Sequence, residues 1–334
     1  MNRFEELREI LRQRRYFKIV CAVGNGDCEE VRRLSIVYTL AGATCIDVSA
    51  DVDVVKNSVI GINRAFELRS VFKKKIDVRP FINVSTGMKG DPHIRKVRID
   101  AGRCTSCGSC IEACPNKVVT DDYRIIDKRC IGCGRCADVC PTGAIGFSYK
   151  RDELTEALPR CLKNGAETME LHAITREESS VIRDWRLMND ILKDNFISMC
   201  LDRSQLSDVD FINRVKAAYK ITKDRLIIQA DGVPMSGSED DYNTTLQAVG
   251  AADLIQKSDI PIMLLVSGGT NRKTGRLARL CGVKVNGVSI GTFARKIVKE
   301  YVKHEDFEDN LDLIYEASKV AEGLIKDNLQ EIHD

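Results

Sequence analysis

Eight of the 14 cysteines fall into two short runs with the same spacing. Both runs follow the pattern C-x2-C-x2-C-x3-C-P, and their cysteines are Cys104, Cys107, Cys110 and Cys114, then Cys130, Cys133, Cys136 and Cys140. Thiolates at this spacing bind the iron atoms of a [4Fe–4S] cluster. In a duplicated run, the fourth cysteine ligates the cluster of the other run. The sequence therefore predicts two [4Fe–4S] clusters and one-electron chemistry.

The duplication also predicts which cysteines share a cluster. One expected set is Cys104, Cys107, Cys110 and Cys140, and the other is Cys130, Cys133, Cys136 and Cys114. Gly108 and Gly134 permit the positive φ angles that a tight loop around a cluster requires. A structural zinc site would need only one group of four ligands, and disulfides are typical of secreted chains. The segment instead resembles bacterial two-cluster ferredoxin domains.

The amino-acid composition limits the classes of partner that the protein is expected to bind. The chain has 334 residues, with 51 Lys and Arg against 49 Asp and Glu, a formal net charge of +2. Nucleic-acid binding requires a concentrated basic face, so we expect no nucleic-acid partner. No apolar run approaches the ~20 residues that cross a bilayer, and the N-terminus lacks the apolar region of a signal peptide. The six other cysteines lie mostly in apolar runs, which indicates a reducing compartment. We expect a cytoplasmic protein without membrane contact.

Apolar runs and amphipathic segments alternate along the chain in the manner of β/α units. The predicted strands are residues 17–23, 45–50, 78–85, 167–173, 196–201, 225–230, 261–266 and 285–290. The predicted helices are residues 2–15, 29–40, 52–72, 177–193, 208–219, 242–255, 275–280, 293–303 and 310–329. The first helix is expected to close the bottom of a larger body. The cysteine runs interrupt the alternation after the third strand.

Eight strands connected by helices can form a closed barrel or an open doubly wound sheet. The strand count and the last two loops favour an α/β fold, a (β/α)8 TIM-like barrel, which typically has about 250 residues. The remaining length suits one small insertion. We therefore predict a barrel from residues 1–94 and 150–334, the latter including C-terminal helices, with an inserted ferredoxin-like module at 95–149.

Two glycine-containing loops follow the seventh and eighth predicted strands. In many barrels of this class these loops hold a phosphate group through backbone N–H groups and the N-terminus of a short helix. The expected phosphate-binding residues are Gly268, Gly269, Thr270, Gly291 and Thr292, with charge from Lys273 or Arg295. The alternative is that the glycine pair only forms a turn.

Other polar residues gather at the carboxyl ends of the predicted strands, where barrels place their active sites. They are Gly24, Asn25, Asp27, Ser49, Asp51, Asn83, Ser85, His172, Asp202, Arg203, Gln229 and Asp231. We single out His172 and Asp231 as candidate proton donors, although a packed, hydrogen-bonded histidine is an equal alternative. The loop at 232–241 is expected to be either a lid over the site or an exposed turn.

The cysteine module follows the third strand and so lies at the same end of the barrel as this site. Clusters there are suitably placed to pass electrons to a group bound in the barrel mouth. Flavin mononucleotide combines a phosphate anchor with one-electron chemistry, which makes it the candidate second cofactor. A phosphorylated substrate would use the same loops, and an empty regulatory barrel is a further alternative.

The first two strands, the module and the segments 38–50, 229–245, 267–271 and 287–296 together resemble the light-dependent period (LdpA) family. This resemblance covers nearly the whole chain. It implies iron–sulfur binding and, in cyanobacteria, a role in relaying cellular redox state to the circadian clock. Both cysteine runs match without departure, so cluster ligation carries over residue by residue. No residue identifies a partner for the clock role.

Two functions remain open from the sequence. The first is an oxidoreductase in which the clusters receive electrons from a ferredoxin-like donor and pass them to a flavin or a phosphorylated ligand in the barrel. The second is a redox-sensing adaptor without turnover, whose cluster state changes its contacts with a partner protein. Only the first needs the glycine loops and a proton donor.

Overall fold

The strands of the barrel alternate with helices along the chain. The computed structural model describes all residues except 1, 22, 23, 25, 89, 90, 92, 93, 150–152, 234, 235, 238 and 334. The barrel strands are β1 (Tyr16–Val20), β2 (Cys45–Ser49), β3 (Phe81–Gly87), β6 (Thr168–His172), β7 (Ile197–Leu201), β8 (Leu226–Asp231), β9 (Met263–Ser267) and β10 (Gly287–Ile290). They form a closed parallel barrel in the order β1-β10-β9-β8-β7-β6-β3-β2. The predicted barrel is therefore confirmed.

Helices surround the barrel and continue past its last strand. They are α1 (Arg3–Arg12), α2 (Cys28–Leu40), α3 (Val52–Leu68), α6 (Leu154–Lys163), α7 (Glu178–Ile191), α8 (Asp208–Thr222), α9 (Asn243–Gln256), α10 (Thr274–Leu280), α11 (Thr292–Val302) and α12 (Leu311–His333). None of the helices in the described part of the chain is long and apolar enough to cross a membrane.

Side chains alternate between the two faces of each barrel strand, because successive residues of a strand point in opposite directions. Ile46 and Val48 belong to the large apolar core, whereas Asp47 between them contacts Lys18 and Asn83. Lys18 reaches Glu170, although β1 and β6 are not neighbours in the barrel. Such a contact must cross the interior, so the middle of the barrel contains charged side chains.

Helix α1 packs at the end of the barrel where the strands begin. Its buried residues Leu7, Ile10 and Leu11 cluster with Cys45 and Phe81, the first residues of β2 and β3. The spacing of the three helical residues puts them on one face, as the sequence predicts. The helix therefore covers the opposite end of the barrel from the candidate site.

The cysteine runs lie between β3 and α6, next to a second, two-stranded sheet. Strands β4 (Arg95–Ile99) and β5 (Ile145–Tyr149) pair antiparallel. Two short helices, α4 (Ser109–Glu112) and α5 (Arg135–Asp138), follow the tight loops of the two cysteine runs. Gly108 and Gly134 precede these helices with φ of 81° and 90°. Both glycines thus adopt the conformation for which the sequence analysis selected them.

One barrel helix was not predicted from the sequence. Helix α6 follows the module in the chain and completes the connection between β3 and β6. Leu154, Leu158 and Cys161 form its buried side at helical spacing. Pro159, which usually interrupts a helix, lies within it on the exposed side. The proline obscured an amphipathic pattern that was otherwise readable.

The close packing of α2 on α3 gives a test of this arrangement. A Cβ atom on Gly61 of α3 would lie 2.3 Å from the carbonyl oxygen of Arg32. We expect Gly61→Ala to lower the free energy of unfolding by about 1–3 kcal/mol, because the two helices would have to separate. Denaturant unfolding of the whole chain measures this change.

The matched control is Gly250→Ala in α9, where a Cβ atom meets nothing within 4 Å. Removing a helical glycine there should raise the free energy of unfolding by roughly 0.5–1 kcal/mol. Equal effects of the two substitutions would contradict the described packing of α2 on α3.

Candidate functional site

The cysteine thiols form two groups, each drawn from both runs. The thiol of Cys110 has those of Cys104, Cys107 and Cys140 as neighbours. Burial, followed by the charges of these neighbours, raises the pKa of Cys110. Four thiols held together in this way are suited to an iron–sulfur cluster, whose positive iron ions favour the thiolate form.

The second group combines three cysteines of the second run with the fourth cysteine of the first run. The thiol of Cys136 has those of Cys133, Cys114 and Cys130 as neighbours. Burial and these neighbouring thiolates raise the pKa of Cys136 to about 11. The grouping agrees with the crossed ligand sets expected from the sequence. Ligation itself stays a prediction.

The surroundings of the thiols fit [4Fe–4S] clusters. The second group lines a cavity whose other walls include Val97, Val118 and Phe147. Backbone N–H groups donate to the sulfur atoms: Val118 to Cys114 at 3.3 Å and Ala144 to Cys140 at 3.2 Å. Such hydrogen bonds stabilise thiolates and tune the reduction potential of a cluster.

The two thiol groups differ in their exposure. In the first group Cys107 is exposed and Cys110 is buried, whereas the second group has two buried thiols, Cys130 and Cys136, and two half-buried ones. Lys96 donates to the carbonyl oxygen of Cys130 and to that of Gly24, both at 2.6 Å. The second group is therefore linked directly to the loop after β1, and the first group reaches the protein surface.

Further contacts join the module to the same loop. The N–H of Gly26 donates to the carbonyl oxygen of Lys128 at 2.9 Å. Asp27, the N-cap of α2, lies 3.9 Å from the guanidinium of Arg129. These contacts place the module against the end of the barrel that carries the carboxyl ends of the strands.

A cleft of about 300 Å³ lies between the module and this end of the barrel. Its barrel side consists of the loops after β1 and β2 and the end of β3, including Ser49, Asp51 and Ser85. Lys96 and Lys128 line its module side. Some of the polar residues expected at the carboxyl ends of the strands therefore line a cavity. Asn25, another expected rim residue, lies outside the described residues.

A charged network fills the barrel interior beneath the rim. Lys18 lies 2.6 Å from Glu170 and 4.0 Å from Asp47, and all three side chains are buried. Burial alone would lower the pKa of Lys18, but the two carboxylates outweigh it and raise the pKa. Burial would raise the pKa of Glu170, but Lys18 and His172 hold it well below its usual range. Lys18 is thus a cation and no amine nucleophile.

His172 and Asp231, the candidate proton donors, both border this network. His172 Nε2 lies 3.1 Å from Glu170 Oε1, and Nδ1 lies 3.7 Å from Asp91 Oδ2. Burial would lower the pKa of His172, but Glu170, Asp91 and Asp231 raise it to about 9. Each of the two candidates is only 5% exposed. Their catalytic role stays a prediction.

The first glycine loop is shaped by close packing. Gly268 and Gly269 have φ of 62° and 73°, and a Cβ atom on Gly268 would lie 2.1 Å from Asp231 Oδ1. The hydroxyl of Thr270 donates to the carbonyl oxygen of Ser289 at 2.7 Å. Lys273 donates to the carbonyl oxygen of Asp240 at 2.5 Å. A carboxylate at the glycine pair and engaged side chains make this loop a poor fit for a phosphate.

The second glycine loop keeps groups that can bind an anion. Gly291 precedes α11 without a side-chain cap, and Thr292 is the first residue of the helix. Arg295, one turn later, has a buried Nε atom without a hydrogen-bond partner among the described residues. Phosphate binding by the five expected residues stays a prediction, and Gly291 and Thr292 fit it better than the first loop does. Pro234, Met235 and Ser238 of the expected lid lie outside the described residues.

Comparisons with known proteins bear on both parts of the molecule. A model of the Light dependent period A C-terminal domain matches residues 161–327, half of the chain. The chain belongs to the Light dependent period A family. A model of the 4Fe-4S binding domain matches residues 97–120 and 123–146, one segment for each cysteine run. This family member is therefore an iron–sulfur protein.

One curated relative from the Light dependent period A family is similar over most of its length. Light dependent period A from Synechococcus elongatus is 28% identical over 291 residues, which cover 86% of this chain and 80% of that protein. The similarity thus includes both the barrel and the module.

Solved structures share only the general architecture with this Light dependent period A family member. QR15, an aldolase, has a TM-score of 0.45 at 10% identity, covering 88% of this chain and 96% of that chain. The YdjI aldolase from Escherichia coli K12 has a TM-score of 0.46 at 8% identity, covering 97% and 93%. Similarity at this level carries no inference about chemistry.

The sequence analysis did not single out the charged residues of the barrel interior in this family member. Lys18, Asp47 and Glu170 each stand between two apolar residues in the middle of a predicted buried strand. A charged residue in that position seldom lies inside a protein without a partner. That signal could have identified all three as a network. Asp91 offers no comparable signal, because it lies in a loop after β3.

The crossed thiol groups of this Light dependent period A family member lead to a test by substitution. We expect Cys114→Ser to disturb the cluster held by Cys130, Cys133 and Cys136, and Cys140→Ser to disturb the other, because each fourth thiol lies with the opposite run. Electron paramagnetic resonance of the anaerobically reduced proteins distinguishes the two clusters. Cys161→Ser in α6 is the control and should leave both signals unchanged. Disturbance of the cluster of the same run would contradict crossed ligation.

The interior ion pairs give a second test. Lys18→Met should lower the free energy of unfolding by about 3–5 kcal/mol, since it leaves Glu170 and Asp47 buried without their cation. Lys257→Met is the matched control, because Lys257 and Asp253 form an exposed pair at 2.7 Å. The control should change stability by no more than about 1 kcal/mol. Similar values for the two variants, measured by denaturant unfolding, would contradict the buried network.

Proposed function

We propose that this protein is an electron-transfer protein that delivers electrons to a ligand in the cleft between its module and its barrel. The observation that carries the proposal is the unequal exposure of the two thiol groups. One group reaches the surface at Cys107, and the other, whose four thiols are buried or half-buried, is joined to the cleft by Lys96. An exposed entry and a buried exit are what a directional electron carrier requires.

The residues of the module form both the entry point and the exit point for the electrons. When bound, each [4Fe–4S] cluster supplies one-electron chemistry, so two clusters can deliver a pair of electrons. The exposed side of the first group, around Cys107, is open to a donor protein of the ferredoxin class, which loses the same number of electrons. In the second group Cys130 and Cys136 are buried, and Lys96 joins Cys130 to the loop after β1.

The cleft determines what kind of ligand can accept the electrons. Its volume of about 300 Å³ is at the lower end of the range for small-molecule sites. Asp51 and Asp127 bring negative charge to its walls, and Lys96 and Lys128 bring positive charge. A small polar molecule that carries both donors and acceptors suits such walls better than a strongly charged one.

Flavin mononucleotide fits this arrangement poorly. Its phosphate was expected at Gly268, Gly269 and Thr270, but the carboxylate of Asp231 lies beside Gly268 and would repel an anion, and the hydroxyl of Thr270 already donates to Ser289. A phosphate-bearing ligand retains only the start of α11, near Thr292 and Arg295. We therefore derive no role for a flavin.

Lys96 favours a second candidate function, a redox-sensing adaptor. It connects the carbonyl oxygen of Cys130 to that of Gly24, so a change at the second thiol group can reach the loop before α2. Hydrogen exchange tests this function: peptides that include residues 24–33 should exchange differently in the oxidised and reduced holoprotein. Equal exchange in the two states would argue against a sensor.

Electron delivery to the cleft is tested with a small dye. Holoprotein reduced anaerobically by two electron equivalents is mixed with dichlorophenolindophenol, which takes up two electrons and protons from water while each cluster loses one electron. Ala157 lines the cleft, and Ala157→Trp should slow this reoxidation several-fold by filling it. The loss of cluster absorbance measures the rate.

Two controls separate the cleft from the exposed end. Cytochrome c is too large for the cleft and should oxidise both proteins at the same rate. Ala217→Trp replaces a half-buried alanine beside an open groove on α8, outside the cleft, and should behave as the original protein with both acceptors. An unchanged dye rate in Ala157→Trp would contradict the proposed exit through the cleft.

A further inference from the structure

Three buried side chains in the barrel interior have the composition of a metal site. Glu170, His172 and Cys200 each offer one ligand atom, and these atoms all lie within 4.8 Å of one another. We propose that they bind a single transition-metal ion, Zn²⁺ by the chemistry of the ligands, at a site separate from the cluster cysteines. This inference goes beyond the proposed electron transfer and does not depend on it.

The barrel brings these residues together through strand geometry. Glu170 and His172 are two residues apart on β6, so both side chains point to the same face. His172 pairs with Cys200 on β7, which in turn pairs with Gln229 on β8. Three neighbouring strands thus contribute to one layer of the interior. Side chains on rigid strands hold ligand positions better than side chains on loops.

Hydrogen bonds orient two of the three residues. Ser198 donates to Glu170 Oε2 at 2.6 Å, and Lys18 contacts the same oxygen. The other oxygen, Oε1, faces His172 Nε2 at 3.1 Å and accepts a hydrogen bond from Gln229 Nε2, also at 3.1 Å. His172 Nδ1 points to Asp91 Oδ2 at 3.7 Å. A ligating histidine almost always gives its second N–H to a carboxylate or carbonyl group, and Asp91 is placed to accept it.

The charges of the ligands suit a cation. Glu170 is a buried carboxylate, and the buried Cys200 would bind a metal as a thiolate. Buried negative charges are costly unless they are paired. A divalent ion would displace the thiol proton of Cys200 and pair with both groups.

The type of ligand selects the type of metal. A thiolate and an imidazole favour zinc and other borderline-soft ions, whereas magnesium and calcium prefer oxygen ligands alone. Three protein ligands leave one position of a tetrahedral zinc ion open, as in catalytic sites. Gln229 Oε1 is buried next to this position and has no hydrogen-bond partner in the described part of the chain. It can occupy the open position or bind a water there.

The direct test is the zinc content and zinc X-ray absorption of the anaerobically prepared holoprotein after dialysis against a chelator and addition of Zn²⁺. We expect about one tightly held zinc per chain in addition to the cluster iron. Its scattering should show one sulfur at ~2.3 Å, with nitrogen and oxygen at ~2.0–2.2 Å. Zinc surrounded by four sulfur atoms would mean occupation of the cluster cysteines, and absence of retained zinc would mean that the interior holds only a proton. Either result overturns the proposal.

Substitutions assign the metal to these residues. Cys200→Ala and His172→Gln should abolish the retained zinc, while Asp91→Asn should weaken its binding about 10–100-fold, as loss of a carboxylate behind a histidine ligand does. Cys45→Ala removes another buried barrel cysteine and should retain the zinc. Zinc content that is unchanged in Cys200→Ala and His172→Gln would refute the site.

Measuring the cluster iron in the same variants separates the zinc site from the proposed electron transfer. All four variants should keep the cluster iron and sulfide of the original protein, because the substituted residues lie in the barrel. The loss of zinc with intact clusters therefore concerns the interior site alone. If a variant fails to fold, its iron is lost as well, and the absorption spectrum of the unsubstituted protein still decides the question.

Discussion

Metal–thiolate bonds would stabilise the cysteine module, because its fully buried core is small. The buried residues are Val97, Val118, Val119 and three cysteines, with six larger apolar side chains packed against them in half-buried positions. Small domains of this kind usually need a metal or disulfides, and metal binding then contributes directly to folding. Crossed thiol groups have the further consequence that each cluster would join both cysteine runs. The same bonds would thus hold the module together and carry its electrons.

The barrel supplies what the module lacks, a rigid surface with a cleft. Contacts at the backbone of Gly24 and Gly26 place the second thiol group beside that surface, and in the first group Cys107 is exposed. Beneath the cleft, the interior of the barrel is polar and charged around Lys18 and Glu170. The proposed zinc site lies in this charged part of the interior.

Local patterns in the sequence predicted the elements and the cysteine groups, since both depend on spacing along the chain. The eight strands, Gly108 and Gly134 follow from such patterns, and helix α6 was missed because Pro159 obscured its pattern. The interior network could not be predicted in the same way, because the contact of Lys18 with Glu170 depends on how the barrel closes across 152 residues of chain. The closeness of Asp231 to Gly268, which bears on the expected phosphate site, could not be predicted either, because the two residues meet only in the folded barrel.

The central claim is that the duplicated cysteine runs hold two [4Fe–4S] clusters. Mössbauer spectroscopy of anaerobically prepared, iron-57-enriched protein, with iron and sulfide analysis of the same sample, tests it most directly. The account predicts about eight irons and eight sulfides per chain, all in [4Fe–4S] clusters. Half that content after full reconstitution, or zinc in place of iron at the cysteine runs, would contradict it.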